Sequence, residues 1–267
     1  MTPMKYYIAD AFAEKAFGGN PAAVLVLDQW LPDDTMQKIA AENNLSETAF
    51  AVKTGADYQL RWFTPGAEID LCGHATLAAG YVILNHYEPD KGEVHFHTRS
   101  GCLTVKRSGE LYEMDLPAIL PEEYVVTREL VQALGGVVPV EVHKKRDLVV
   151  LLESEKQLLE LKPDLEVMKR LPEGLAVFAT APSDDPKYDF VDRAFWPKLC
   201  IDEDPVCGSA HCNLAPYWSR KLGKTSLVAH QVSKRGGVLY LEDCGDRIKI
   251  AGSVAPYAEG TVVGVKY

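Results

Sequence analysis

The chain repeats part of its own sequence once, at a spacing close to half its length. An Arg-x-Phe-x-Pro motif occurs at residues 61–65 and again at 193–197, and each copy precedes a Cys-Gly pair and a stretch of small residues. Two further pairs of segments match in the same order: residues 100–105 with 236–241, and 109–114 with 245–250. Because there are two copies and not many, the duplication predicts two homologous lobes and not a solenoid.

The hydrophobic pattern predicts an α+β fold. Short alternating segments bounded by Gly and Pro read as strands through most of the chain. Residues 75–84 are apolar almost all round, which predicts a helix buried on every side, and 209–222 predict its counterpart. Each lobe is thus predicted to be an antiparallel sheet or barrel wrapped around a central helix. We place the N-terminal lobe at 1–117 and the C-terminal lobe at 118–267, with the final strand, about 258–267, packing back on the first lobe and the active-site cleft between the lobes.

The composition excludes several classes of function. The net charge is −10, and such a chain lacks the basic face that nucleic-acid binding requires. No apolar run is long enough to span a bilayer or to serve as a signal peptide, so neither a membrane nor a nucleic acid is predicted as a partner. The six cysteines are too sparse for a secreted disulfide scaffold, which favours a cytoplasmic protein with reduced thiols. No G-x-G-x-x-G motif is present, so no nicotinamide or flavin cofactor is predicted.

Each predicted central helix begins just after a Cys-Gly pair, at Gly73 and at Gly208. The first turn of a helix leaves backbone N–H groups without intrahelical partners and carries partial positive charge. Such helix starts bind carboxylates or phosphates, although each Gly can also simply make a strand-to-helix turn. The paired occurrence favours one shared site for a small carboxylate substrate.

Glu47 is the candidate for a proton-transferring group. It lies at the start of a predicted strand, and no Lys or Arg is nearby in the sequence. A carboxylate in a partly dry cleft can exchange protons near neutral pH, whereas a solvated surface glutamate has no such role. The second half offers no acid at this point, because a loose echo of residues 49–51 in 177–179 places Leu175 opposite Glu47.

A set of motifs running from residue 6 to about residue 264 resembles the PhzF family, the phenazine-biosynthesis isomerase-like proteins. The matching segments are residues 10–12, 17–24, 44–50, 61–65, 71–78 and 203–211. The resemblance implies a fold like that of diaminopimelate epimerase, a cofactor-independent and metal-free isomerase of EC class 5, and a homodimer. It implies that Glu47 shuttles a proton between carbons of a small carboxylate. It also implies catalytic or substrate-binding roles for residues of the other motifs: Gly73, His74, Asp204, Gly208 and Ser209.

Two other functions remain open at this point. Cys72 and Cys207 occupy the positions at which epimerases of this fold carry a pair of catalytic cysteines, and a helix start next to a thiol favours the thiolate. The chain is therefore also a candidate two-cysteine amino-acid racemase or epimerase, unless both thiols are buried and inert. The fold alone is equally compatible with a binding protein that has lost turnover. A metal site is not predicted, since Cys207, His211 and Cys212 fit no standard zinc spacing.

Overall fold

The computed structural model describes residues 4–265. Residues 1–3 of the predicted N-terminal lobe and residues 266–267 of the predicted final strand lie outside the described residues. The chain divides into two compact units. The first unit extends to Asp115 and takes in the chain again from Ala251, while the second is Leu116–Ile250. None of the helices within the described range combines the length and the apolar character that a membrane crossing requires.

The first unit contains nine strands and two α-helices among the described residues. The strands are β1 (Met4–Ala11), β2 (Asn20–Leu27), β3 (Glu47–Thr54), β4 (Asp57–Phe63), β5 (Glu68–Ile69), β6 (Glu93–Thr98), β7 (Gly101–Ser108), β8 (Leu111–Pro117) and β18 (Val254–Val262). The helices are α1 (Asp33–Asn43) and α2 (Gly73–Val82), and α2 continues into a π-helical turn at Ile83–Tyr87.

The second unit repeats this plan with a different set of outer helices. Its strands are β9 (Glu122–Tyr124), β10 (Glu141–Lys144), β11 (Leu148–Leu151), β12 (Val177–Pro182), β13 (Phe190–Trp196), β14 (Ile201–Asp204), β15 (Ser226–Gln231), β16 (Gly237–Asp243) and β17 (Arg247–Gly252). Its helices are α3 (Arg128–Ala133), α4 (Glu155–Glu160), α5 (Leu165–Lys169) and α6 (Gly208–Leu222), with a 3-10 turn at Pro197–Leu199. The chain passes from the first unit to the second within β8 and returns to the first within β17.

The strand pairings show the duplication directly. In the first unit β2 and β3 are parallel, β3 and β4 antiparallel, β4 and β6 parallel, and β6 and β7 antiparallel. The second unit has the same four pairings in the same order, between β11 and β12, β12 and β13, β13 and β15, and β15 and β16. The strands of each unit are therefore partly parallel, where the sequence predicts an antiparallel sheet, because a connection such as α1 between β2 and β3 lets the chain return in the same direction. The two predicted homologous lobes share one topology.

Each central helix is buried, as its apolar sequence predicts. In α2 every residue from His74 to Gly80 is buried, and a methyl group added at Gly80 would overlap the side chain of Val105 on β7. The opposite face of the first sheet is covered by α1, whose Met36 and Ile39 pack with Phe50 of β3. β3 is therefore enclosed on both faces, which is why its first six residues are all buried.

Two boundaries differ from the sequence expectations. The first central helix begins at Gly73 and not at Ala75, because the Cys72 N-cap already has extended backbone angles and the helix starts directly after it. The last described strand is Val254–Val262, earlier than the expected 258–267, and it pairs antiparallel with β1 from Ala11 back to Met4. Strand pairing decides this boundary, and a sequence pattern cannot detect it.

Candidate functional site

Glu47, Cys72 and His74 come together at the start of α2. Glu47 is the first residue of β3, and the helix begins two residues before Ala75, at Gly73. An Oε atom of Glu47 lies 2.9 Å from Nε2 of His74, and Sγ of Cys72 lies 3.5 Å from Nδ1 of the same ring. All three side chains are buried, with exposed fractions of 7%, 7% and 5% for Glu47, Cys72 and His74. The structure thus brings together three of the five candidate catalytic residues, which are Glu47, Cys72, His74, Asp204 and Cys207.

The start of α2 itself has no side-chain cap. Cys72 occupies the N-cap position without a side-chain hydrogen bond to the helix, and the first turn contains no acidic residue. The partial positive charge of this helix end is therefore not neutralised by its own sequence, as it is at α1, where Asp33 and Asp34 fill the first turn. A buried carboxylate and an uncapped helix start are available in one place.

The start of β3, where Glu47 lies, is positioned by the C-terminal end of α1. Asn44 adopts left-handed backbone angles and its N–H donates to the carbonyl of Ala40, which ends the helix. Asn43 then donates a side-chain hydrogen bond to the Thr48 hydroxyl at 3.0 Å. The helix end and the strand start are tied together, so Glu47 has little freedom to turn away.

Asn20 is a further site residue, which sequence reasoning did not single out. Its Nδ2 lies 3.1 Å from Nδ1 of His74, so the ring of His74 has Asn20 on one side and Glu47 on the other. Asn20 follows a tight turn in which the carboxylate of Asp10 accepts the Phe17 N–H at 2.9 Å. Gly19 in this turn has φ +58°, and a side chain there would collide with the carbonyl of Ala11. The Phe-Gly-Gly-Asn-Pro motif was the available signal.

A bidentate arginine–glutamate pair precedes each Cys-Gly helix start. Nε and Nη2 of Arg61 on β4 donate to the two carboxylate oxygens of Glu68 on β5, at 2.7 and 2.8 Å. Arg193 on β13 binds Glu203 on β14 in the same way, at 2.8 and 2.9 Å. The arginine of each Arg-x-Phe-x-Pro motif is therefore the residue that binds the glutamate of the next strand. This contact fixes the short strand that leads into each helix.

The second unit places the other predicted residues together at the start of α6. Cys207 is the N-cap, α6 begins at Gly208, and Sγ of Cys207 lies 3.3 Å from the Ser209 hydroxyl. Gln231 on β15 accepts the Cys207 N–H at 2.8 Å and donates to the carbonyl of Asp204 at 2.7 Å. Again no side chain caps the helix and its first turn contains no acid.

The thiol of Cys207 does not favour the thiolate, contrary to the expectation from its position at a helix start. Burial raises the pKa of the Cys207 thiol well above its ordinary value, and the negative charge of Asp204 raises it further. The hydrogen bond with Ser209 acts in the opposite direction but is the weaker influence. Desolvation and a neighbouring carboxylate therefore outweigh the field of the helix end.

His211 and Asp192 form a fully buried pair that the sequence did not predict. Nδ1 of His211 lies 2.9 Å from the carbonyl oxygen of Cys207, and Nε2 lies 3.2 Å from Oδ1 of Asp192. Both side chains have no exposed surface. Burial alone lowers the pKa of His211, but the carboxylate of Asp192 more than offsets this, so the pKa lies above its ordinary value. The carbonyl of Cys207 fixes one ring nitrogen, and the carboxylate of Asp192 lies beside the other.

The strand register corrects the residue that corresponds to Glu47 in the second unit. Arg61 faces Phe50 across β3 and β4, and the equivalent Arg193 faces Ala179 across β12 and β13. Counting back the same number of positions from Phe50 and Ala179 places Ala176, and not Leu175, at the position of Glu47. Either way, the second unit has no acid there.

Three donor atoms of metal-ligating type lie close together at the first helix start. The ligand atoms of Glu47, Cys72 and His74 all lie within 4.8 Å of one another, and no second group of three such donors occurs within residues 4–265. Sequence spacing alone gave no reason to expect this group, because Glu47 is far from the other two residues along the chain.

Comparison with known proteins identifies the family. The family model for phenazine biosynthesis-like proteins matches residues 9–260. The chain belongs to this family. An isomerase of Pseudomonas aeruginosa whose own role is uncharacterized is 48% identical over 254 residues, covering 95% of this chain and 96% of the relative. The human phenazine biosynthesis-like domain-containing protein is 37% identical, covering 96% and 98% of the two chains.

Solved structures give the same family and a wider fold group. A PhzF-family crystal structure from Enterococcus faecalis is 50% identical, covers 98% of this chain and 99% of its own, and has a TM-score of 0.95. A hydroxyproline epimerase from Agrobacterium vitis, solved with bound trans-4-hydroxy-L-proline, has a TM-score of 0.58 at 12% identity and shares the fold alone. The predicted family and the epimerase-like α+β fold are confirmed, and the predicted isomerase class agrees with the names of the relatives.

Proposed function

We propose that the protein is a cofactor-independent isomerase that moves a proton on a small carboxylate-bearing metabolite, with Glu47 as the general acid and base. The observation that carries this proposal is the buried carboxylate of Glu47, held against His74 at the uncapped start of α2. The isomerase names of relatives that match nearly the whole chain support the reaction class.

The proposed chemistry needs only groups of the chain. Glu47 removes a proton from a carbon next to the carboxylate or to a conjugated double bond, and the C–H electrons pass into an enolate-like anion. Backbone N–H groups from Gly73 onward stabilise the developing negative charge, because they are oriented before the reaction and lie in a largely dry site. Glu47, now neutral, returns the proton to another carbon, so the substrate is isomerised without oxidation or reduction.

His74 is assigned to orienting the carboxylate and the substrate. Its Nε2 faces Glu47 and its Nδ1 faces Asn20, so the ring plane is fixed from both sides. A fixed imidazole beside the base also limits how far Glu47 can rotate between the two carbons that exchange the proton.

We extend the proposal to the second unit, where Asp204, Ser209 and the amides from Gly208 bind polar groups of the substrate. Asp204 and Ser209 flank Cys207 at an uncapped helix start, which is suited to an anion or a carbonyl oxygen. That both helix starts serve one substrate stays a prediction from the duplicated sequence. Under it, Asp204→Asn raises KM for the substrate more than it lowers kcat.

The test is hydrogen exchange in deuterated water with a panel of amino-, hydroxy- and unsaturated carboxylates, followed by NMR. Loss of the Glu47 carboxylate in Glu47→Gln lowers the exchange rate by about 10²–10⁴-fold, the usual contribution of a general base. Glu42→Gln, which changes an exposed acid in α1, is the matched control and leaves the rate unchanged. A Glu47→Gln protein that folds and exchanges at the wild-type rate removes the glutamate mechanism.

The two-cysteine epimerase is the second candidate, because Cys72 and Cys207 are the N-caps of the two central helices. Against it, a thiol such as that of Cys207, with a raised pKa, is a poor source of thiolate at neutral pH. This candidate predicts that exchange persists in Glu47→Gln and disappears in both Cys72→Ser and Cys207→Ser. A binding protein without turnover predicts no exchange with any member of the panel.

A further inference from the structure

We propose that Glu47, Cys72 and His74 form a binding site for a zinc-type divalent metal ion, and that the bound ion switches off the proton transfer assigned to Glu47. Metal binding stands on the geometry of the three side chains alone. The inhibitory consequence rests on the proposed function.

The three donors have the chemistry that zinc selects. A thiolate sulfur, an imidazole nitrogen and a carboxylate oxygen are its ordinary protein ligands, whereas Mg²⁺ and Ca²⁺ take oxygen ligands almost exclusively. The presence of sulfur and nitrogen in a group of three thus favours zinc, or a metal of similar preference, over the hard cations.

The distances are close to those of a tetrahedral site. Nε2 of His74 lies 2.9 Å from the Glu47 carboxylate and 4.0 Å from Sγ of Cys72, and the ligand atoms all lie within 4.8 Å of one another. Bonds of about 2.0–2.3 Å to zinc place tetrahedral ligands roughly 3.3–3.8 Å apart. Side-chain rotations that move each ligand atom by less than an ångström bring the three atoms to that spacing.

The surroundings resemble those of a prepared metal ligand. Metal-bound histidines usually engage their second ring nitrogen with a neighbouring polar group, which sets the ring orientation. Here Nδ1 of His74 lies 3.1 Å from the side-chain amide of Asn20, and rotation of that amide offers its oxygen to a Nδ1–H. Three protein ligands leave a fourth position open for water or for a substrate carboxylate.

The second unit supplies an internal comparison. Cys207 occupies the position of Cys72, but Ser209 replaces His74 and Ala176 replaces Glu47. Two of the three ligands are therefore missing at the equivalent place. The duplication predicts one metal site of this kind, in the first unit.

An ion bound here occupies the groups that the isomerisation needs. It holds the Glu47 carboxylate as a ligand and takes the Nε2 atom of His74, so the base no longer accepts a proton from substrate. Zinc at occupying concentration then abolishes exchange activity, and a chelator such as EDTA restores it.

The experiment uses Co²⁺ as a spectroscopic probe of the full-length protein, after treatment with EDTA and in a reducing agent that does not bind metals. We expect one Co²⁺ per chain, with a near-ultraviolet band from thiolate-to-cobalt charge transfer and visible bands of a four-coordinate ion, all displaced by Zn²⁺. Cys72→Ser removes the charge-transfer band. Glu47→Gln retains the band but weakens binding at least tenfold.

Two control variants show whether cobalt binds to a cysteine outside the proposed site. Cys207→Ser changes the equivalent cysteine, and Cys102→Ser changes an exposed cysteine that faces His97 across β6 and β7. Both are expected to leave the cobalt spectrum unchanged. Circular dichroism confirms that each variant is folded.

The outcomes separate the two proposals. Absence of a thiolate band in wild type, or a band that survives Cys72→Ser, overturns the metal site whatever the enzyme does. A Cys72-dependent band without exchange on any substrate keeps the metal site and removes the isomerase. Exchange that Zn²⁺ leaves intact, despite a saturated site, overturns the inhibitory role.

Discussion

The two central helices start in the same way and then differ at the groups they carry. In both units an Arg–Glu pair fixes a short strand, a cysteine occupies the N-cap position, and a glycine is the first residue of the helix. At the next position the first unit has His74, which meets Glu47 and Asn20, while the second has Ser209, which meets Cys207. The duplication has kept the scaffold of the helix start and varied its chemistry.

The acids at the two equivalent strand starts show the difference most clearly. Glu47 lies against His74, whose Nε2 is 2.9 Å away. In the second unit, Ala176 stands at the position of Glu47, and the acid that contacts its backbone is Asp147. It is fully buried, accepts the Ala176 N–H at 3.2 Å and is paired with Arg146. The carboxylate of Glu47 therefore has an imidazole as its neighbour, whereas that of Asp147 is bound by a backbone N–H and an arginine.

The largest expected effect concerns the buried pair of the second unit. Strand register and helix position place Leu60 and Thr76 where the second unit has Asp192 and His211. Asp192→Leu alone removes the carboxylate that faces the buried His211 ring and leaves the ring nitrogen without that partner, which costs about 3–5 kcal/mol of unfolding free energy. Urea unfolding measures the loss.

The double variant Asp192→Leu with His211→Thr sharpens this comparison, because it introduces the pair of the first unit. It removes the buried ring that Asp192→Leu leaves without its partner, and we expect it to recover at least half of the lost stability. If the double variant unfolds at the same urea concentration as Asp192→Leu alone, the Asp192–His211 contact is not what holds this part of the second unit together.

The next effect concerns the two arginines. Arg193 donates not only to Glu203 but also to the carbonyls of Leu158 and Leu161, at 3.1 and 2.8 Å. The additional partner of Arg61 is Asp33, whose side chain is 73% exposed and contributes little. Lysine cannot reproduce the bidentate contact, so Arg193→Lys is expected to cost about 2–3 kcal/mol and Arg61→Lys about 1 kcal/mol. Equal losses in urea unfolding would contradict a difference between the two pairs.

The smallest effect tests the reactivity of Cys207. Because the carboxylate of Asp204 raises the pKa of this thiol, Asp204→Asn lowers that pKa and increases the thiolate fraction at pH 8. Alkylation of Cys207 by iodoacetamide should then be about three- to tenfold faster, as measured by peptide mass spectrometry. Exposed Cys102 in the same digest serves as the reference. An unchanged ratio of Cys207 to Cys102 labelling would show that burial alone protects the thiol.

Local patterns predicted the parts of the site that depend on local order. The burial of α2 follows from its unbroken run of small and apolar residues, and Glu47 was correctly placed at the start of a strand. Pattern matching failed by one residue at its counterpart, taking Leu175 for Ala176, and such a slip turns a side chain to the other face of a sheet. The strand register removes this error because hydrogen bonding allows only one alignment.

Contacts between segments that are distant in the chain could not be predicted from the sequence. The Asn20–His74 and Glu47–His74 contacts join residues that are far apart in the chain, and nothing in their local pattern specifies the partner. The raised pKa of Cys207 depends on burial and on the neighbouring Asp204, both of which arise only on folding. A helix start alone predicted the opposite direction.

The sequence by itself determined that the protein is duplicated, that each half contains a buried helix preceded by a Cys-Gly pair, and that the chain has the motifs of its family. These properties follow from composition, periodicity and order along the chain. The tertiary structure decided which partners each polar side chain meets and how far it is buried, since both depend on contacts between distant residues. For that reason two nearly identical helix starts carry different chemistry.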